Sequence, residues 1–165
     1  MSWSERRRFL ALAAALAVSG GCGFTPVYAP GGDAAAARGR LRIGDIDGLV
    51  GFTLRERLLS RLGAPASPTH VLDVKVSIEK EGLAIAPDAD ITRFNLTGTA
   101  SYSIRRIGES QPLLSDRVQS FAAYNSTASP YATRVSARDA RARLAQVLAD
   151  MIAARVASTA GRWMK

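Results

Sequence analysis

A chain of 165 residues with a formal net charge of +8, one cysteine and one histidine cannot build a disulfide framework, a cysteine metal cluster or a histidine pair. Its length suits one compact domain, and its basic balance suits an anionic partner such as nucleic acid, phospholipid headgroups or lipid-borne phosphates. The sequence carries no nucleophile elbow, glycine-rich phosphate loop or paired metal ligands, so nothing in it supports an enzyme, and no cofactor is expected.

The N-terminus sets the compartment. Arg6-Arg7-Arg8 precede an apolar run of 10 residues from Phe9 to Val18, and Ser19-Gly20-Gly21 lead to the lone cysteine, Cys22. A charged segment, a short apolar segment and small residues before a cut are the parts of a secretory signal peptide. The run is too short for a bilayer span, which needs about 20 residues. Ser19-Gly20-Gly21-Cys22 resembles a bacterial lipobox, although Ser19 stands where an aliphatic residue is usual. This implies a mature chain that begins at a lipidated Cys22, with residues 1–21 removed. Arg6 to Leu10 also resembles a twin-arginine export motif with Glu5 in place of Ser or Thr, which leaves the export route open. The cut removes three of the 22 basic and one of the 14 acidic residues, leaving a formal +6. Export argues against nucleic acid and leaves membrane lipid and lipid-borne phosphate as partners.

Residues 22–39 read as the lipid anchor followed by a flexible tether, because Pro30, Gly31, Gly32 and Ala34 to Ala37 show no apolar period. Leu41 to Ile46 alternate as a short strand. Asp47-Gly48 turns the chain, and Thr53 with Glu56 fits a capping box at the start of a helix over 53–62. Leu54, Leu58, Leu59 and Leu62 form its apolar stripe. Arg55, Arg57 and Arg61 point outward, a solvated face or an anion contact. Gly63 and Pro65 end the helix. From His70 the period becomes two, with Leu72, Val74, Val76 and Ile78 facing one side. His70 itself reads as structural. Gly82 breaks the alternation as a bulge would, and Pro87 to Asp90 form a turn. Phe94, Leu96, Ala100, Tyr102 and Ile104 share one face of the next strand, with Gly98 on that face beneath a large neighbour. Leu113 to Tyr124 alternate less regularly as a fourth strand. Ser136 with Asp139 marks the start of a last helix, whose stripe is Leu144, Val147, Leu148, Met151, Ile152 and Val156. Gly161 ends it, and residues 161–165 are a loose tail. The order strand, helix, three strands, helix predicts an α+β domain over 40–160. It is a two-layer sandwich with two helices packed on one face of a four-stranded mixed sheet. The other sheet face, rich in Thr and Ser, is left open.

The mature chain resembles the lipopolysaccharide-assembly lipoprotein family LptE, in the form found in alphaproteobacteria. The resemblance rests on Cys22-Gly23-Phe24-Thr25-Pro26-Val27-Tyr28, on Ile91-Thr92-Arg93-Phe94-Asn95-Leu96, and on Tyr124-Asn125 with Ser129-Pro130-Tyr131-Ala132. It continues through Arg138-Asp139-Ala140-Arg141. It implies two helices on a four-stranded sheet and a role without catalysis. A member of this family plugs the outer-membrane β-barrel LptD from the periplasmic side, assists its assembly and helps deliver lipopolysaccharide to the outer leaflet. It contacts lipopolysaccharide through basic residues, for which Arg93 and Arg134 are the candidates here. The competing reading is a periplasm-facing lipoprotein of another system, either pilotin-like or a lipid-binding module.

Overall fold

The computed structural model describes residues 31–83 and 93–164. Cys22 and the expected 87–90 turn lie outside the described residues. The elements are α1 (Asp33–Ala37), β1 (Leu41–Ile43), α2 (Gly48–Leu62), β2 (His70–Leu83), β3 (Arg93–Arg106), β4 (Leu114–Asn125), α3 (Pro130–Ser158) and α4 (Ala160–Trp163).

The sheet runs β1-β2-β3-β4, with β1 parallel to β2 and the other pairs antiparallel. This is the expected mixed sheet: a helical crossover permits the one parallel pair, and short links impose the meander. One face carries the core: Leu72 and Val74 of β2, Leu96, Ala100, Tyr102 and Ile104 of β3, and Val118 and Tyr124 of β4 are buried. Both long helices cover that face. Leu54, Leu58 and Leu62 of α2 and Leu144, Leu148, Ile152 and Val156 of α3 are buried with it. Each such aliphatic side chain removed from water contributes about 1.5–3 kcal/mol.

Several expectations are corrected. The α2 helix begins at Gly48, not at Thr53. Gly48 takes φ +77°, which lets the chain turn directly from Asp47 into the helix. Thr53 is therefore internal, and its hydroxyl donates to the Leu49 carbonyl at 3.0 Å rather than capping anything. The register of β2 on β3 is unbroken through Gly82↔Phe94 to Leu83↔Arg93, so Gly82 makes no bulge. The α3 helix begins at Pro130, two turns before Ser136. Ser129 is its N-cap, accepting from the Ala132 N–H at 3.4 Å, and Pro130 occupies the first turn, where its missing N–H costs nothing. Val147 leaves the apolar stripe and is 45% exposed. In its place Ala145, Ala149, Ala153 and Ala157 are buried at four-residue spacing, a low ridge that admits the neighbouring helix α2.

The two ends of the domain also differ from expectation. The tether expected up to residue 39 is helical over Asp33–Ala37, with Ala34 and Ala37 in the core cluster. The expected tail forms α4, where Trp163 is 0% exposed and its Nε1–H donates to the Val156 carbonyl at 3.2 Å. These two short helices pack on each other at the His70 end of the sheet. A large apolar ring stabilises by burial even where no sequence period announces it.

Candidate interaction surfaces

The sheet face turned away from the helices is uncovered among the described residues. Strand pairing fixes its rows: Lys75, Ser101 and Arg117; Ser77, Thr99 and Gln119; Glu79, Thr97 and Phe121. Alternation sends these positions outward because their neighbours in sequence form the core. Arg105 and Asp73 pair across β2 and β3 at 2.8 Å. Beside them a hollow of about 790 Å³ opens, walled by Asp45 and Asp47 and floored by Lys75, Ser101 and Ser103. The face is thus a broad, mainly polar surface rich in hydroxyls, suited to contact with another polar surface.

Arg93 and Arg134 lie towards the end of the sheet away from α1 and α4. Arg93 opens β3, opposite Asn125 of β4. Residues 126–129 then connect Asn125 to α3. Arg134 stands near the start of α3 and not in a loop before it, because Ser129-Pro130 begins the helix earlier than Ser136 would. Both side chains are exposed. Among the described residues neither has an ion-pair or side-chain hydrogen-bond partner, and no such bond joins one to the other. Next to Arg93, Phe94 stacks on Tyr124 with ring centroids 5.2 Å apart, and the Lys80 ammonium sits 3.9 Å above the Phe94 ring. This is a cation–π contact. Exposed guanidinium groups keep their planar donor forks accessible to a phosphate.

The arginines of α2 behave differently. Arg57 grips Asp150 of α3 with two bonds of 2.9 Å, and Arg61 Nε donates to the same carboxylate at 2.7 Å. Hydrogen bonds from these two guanidinium groups hold the Asp150 carboxyl down at about 2, and Asp150 in turn raises the Arg57 pKa. Arg57 and Arg61 are therefore a clamp between helices and not a free anion site.

Two further polar groups are structural. Tyr102 donates to Asp116 Oδ2 at 3.3 Å, and Arg155 Nη1 donates to the same oxygen at 2.9 Å, which ties β3, β4 and the end of α3 together. Burial, with the Asp116 charge second, pushes the Tyr102 phenol up to about 12. The backbone N–H of Arg117 is the main influence holding Asp116 low. His70 shares a 2.9 Å bond between Nδ1 and the Thr69 hydroxyl, and its ring meets Trp163 edge-on at 5.2 Å. Burial lowers its pKa, and the nearby Arg106 charge adds to this. His70 is a packing residue, as its place at the start of a strand suggests. No group of three metal-binding side chains occurs among the described residues.

Sequence reasoning missed Phe121, which is 83% exposed on the open face. The available signal was an aromatic residue at an outward position of an alternating strand.

A family model described as "LptE: Lipopolysaccharide-assembly" matches residues 31–156. Among solved structures, a lipoprotein from Caulobacter crescentus superposes with a TM-score of 0.63 at 19% identity, covering 78% of this chain and 96% of its own. The rare lipoprotein B of Shewanella oneidensis gives 0.56 at 18% identity, covering 72% and 92%. A minor lipoprotein from Acinetobacter baumannii gives 0.57 at 12% identity, covering 73% and 92%. At these identities the likeness is one of fold. No curated protein sequence matches the chain.

Proposed function

We propose, for a chain that belongs to the LptE lipopolysaccharide-assembly family, the role of a lipid-anchored plug. It sits on the periplasmic side of an outer-membrane β-barrel of the LptD kind, assists its assembly and hands lipopolysaccharide towards the outer leaflet. The role is one of assembly and binding, without catalysis. The observation that carries this reading is the uncovered sheet face, broad, polar and hydroxyl-rich across β2, β3 and β4. The lumen of a large membrane barrel is polar, so a face on which hydroxyl, amide and charged groups predominate can lie against it with its polar groups met by polar groups. Cys22 carries the covalent lipid that holds the domain at the membrane. Arg93 and Arg134 meet the phosphates of lipopolysaccharide. A tagged full-length protein isolated from outer membranes tests the reading: a stoichiometric large β-barrel should accompany it. Recovery with a small soluble partner, or alone, would overturn the plug role.

A further inference from the structure

Phe121 is out of character with its surroundings. It lies inside an edge strand on a face of hydroxyl, amide and charged groups, and is 83% exposed. Strand register sets its neighbours: Thr97 directly across on β3, Asn95 on the diagonal, and Gln119 two residues back on the same face. Direct cross-strand partners stand about 5 Å apart and diagonal ones about 7–8 Å. With Ser120 they border a hollow of about 390 Å³. Among the described residues, none of the side chains of Asn95, Thr97 and Gln119 has an intramolecular hydrogen-bond partner. None of the residues lining the hollow is charged, on a chain whose net charge is +8.

We propose that this hollow is a saccharide platform, taking a pyranose ring from the sugar portion of lipopolysaccharide. A pyranose has an apolar C–H face and a rim of hydroxyls. The Phe121 ring offers its electron-rich face to the polarised C–H bonds. The rim needs donors and acceptors together. Asn95 and Gln119 each supply both on one amide, and Thr97 supplies a hydroxyl that serves either way. Other occupants match less well. A phosphate is met by arginine forks, and the hollow has none. An apolar side chain from a partner would cover Phe121 but strand the three unbonded polar groups, which is costly once water is excluded. An added β-strand would use the backbone edge of β4 and leave the amides of β3 and β4 without a role. The choice of lipopolysaccharide as the source rests on the function proposed above, while binding of a neutral sugar requires neither the barrel nor the arginines.

The experiment uses the full-length protein in detergent and an oligosaccharide released from lipopolysaccharide and stripped of acyl chains and phosphate. The side-chain amide resonances of Asn95 and Gln119 should shift saturably on titration. Phe121→Ala should weaken binding about tenfold, the size of one ring-face contact, and Phe121→Trp should retain it. Unmoved amides, or equal affinity in Phe121→Ala, would overturn the platform. A second arm uses peptide-free glycan strands of the cell wall; an equal or stronger response there would overturn lipopolysaccharide as the source. Co-purification of the barrel with Phe121→Ala separates the two proposals. Loss of the barrel with no change in sugar binding reassigns Phe121 to a protein contact, and retention of the barrel leaves the plug role untouched by failure of the platform.

Discussion

Gly98 of β3 lies directly beneath Leu144 of α3: a methyl group added at Gly98 would come within 2.9 Å of Leu144 Cδ2 and 3.0 Å of Leu148 Cδ1. The helix is seated on the sheet through this absence of a side chain. Gly98→Val should therefore push α3 outward and destabilise the domain by about 1–3 kcal/mol, the usual cost of overpacking a tight core. A thermal melt would register this as a clearly lower Tm. Reducing the facing residue in Gly98→Val/Leu144→Ala should recover part of the loss, and a double variant no better than the sum of the two single changes would argue against this contact.

The Asp150 clamp links α2 to α3 and should appear in acid. The folded-state pKa of about 2 lies below the ordinary value of 3.8. The unfolded chain takes up the proton first, so the stabilisation is present above about pH 4 and is lost as pH falls through about 2. Because the carboxylate is about a third exposed (side chain 32%), solvent screening limits the effect to the order of 1 kcal/mol. Asp150→Asn should lower stability at neutral pH and show a shallower acid slope than the wild type in urea titrations. Parallel slopes would mean that the clamp contributes nothing to folding.

Trp163 and His70 close the opposite end of the domain. Trp163→Ala should cost about 3–5 kcal/mol, a large share of the 5–15 kcal/mol typical of a domain. The His70 pKa is lowered from 6.5 by burial and by the Arg106 charge. Folded protein thus favours the neutral ring. As pH falls below about 6.5 the unfolded chain binds its proton first and stability declines until the folded pKa is passed. Wild-type Tm should fall between about pH 7 and pH 5, and His70→Gln should flatten that slope. An unchanged slope in the variant would remove His70 as its cause.

The sheet was legible because β2 and β3 alternate without interruption, so that Leu72 to Ile78 and Phe94 to Ile104 announce their faces by period alone. Helix starts were not. Thr53 with Glu56 and Ser136 with Asp139 fit capping spacings, yet both pairs fall inside helices whose entry is made by Gly48 and by Ser129-Pro130. Residues 33–37 and 160–163 lack the length for a period, so the burial of Ala34, Ala37 and Trp163 depends on contacts between chain ends that local pattern does not encode. The pairing of Arg57 with Asp150 spans 93 residues. From sequence Arg57 reads as an outward charge, and only the seating of one helix against the other makes Asp150 its partner. Exposure of Arg93 and Arg134 follows from polar positions on a strand and a helix, but that neither meets an acidic partner among the described residues could be seen only once the strands and helices were placed.

Anchoring should be separable from folding. Cys22 precedes the folded domain, so Cys22→Ala should leave the melting temperature of the domain unchanged and release the protein from the membrane fraction. Two or more acyl chains, at about 0.8 kcal/mol per buried methylene, hold a protein stably at a bilayer. Fractionation that finds the wild-type protein soluble, or in the inner membrane, would contradict the proposed anchor.

Ligand contact should likewise be separable from folding at Arg93 and Arg134. Both are exposed and have no partner among the described residues, so Arg93→Glu/Arg134→Glu should change stability by no more than about 0.5 kcal/mol per site. If these guanidinium groups meet the phosphates of lipopolysaccharide, the exchange turns two attractions into two repulsions and weakens binding. The loss should be large at low salt and shrink as salt rises, because exposed charges are screened beyond about 8 Å at physiological ionic strength. The barrel should still co-purify, since Arg93 lies at one end of the open sheet face and the rows from Lys75 to Phe121 are unaltered. Binding measured at two salt concentrations, beside barrel recovery, distinguishes the outcomes. Undiminished lipopolysaccharide binding at low salt would remove both arginines from the contact and leave the plug role standing on the sheet face alone. Loss of the barrel together with the ligand would show instead that this end of the domain is part of the interface with the barrel.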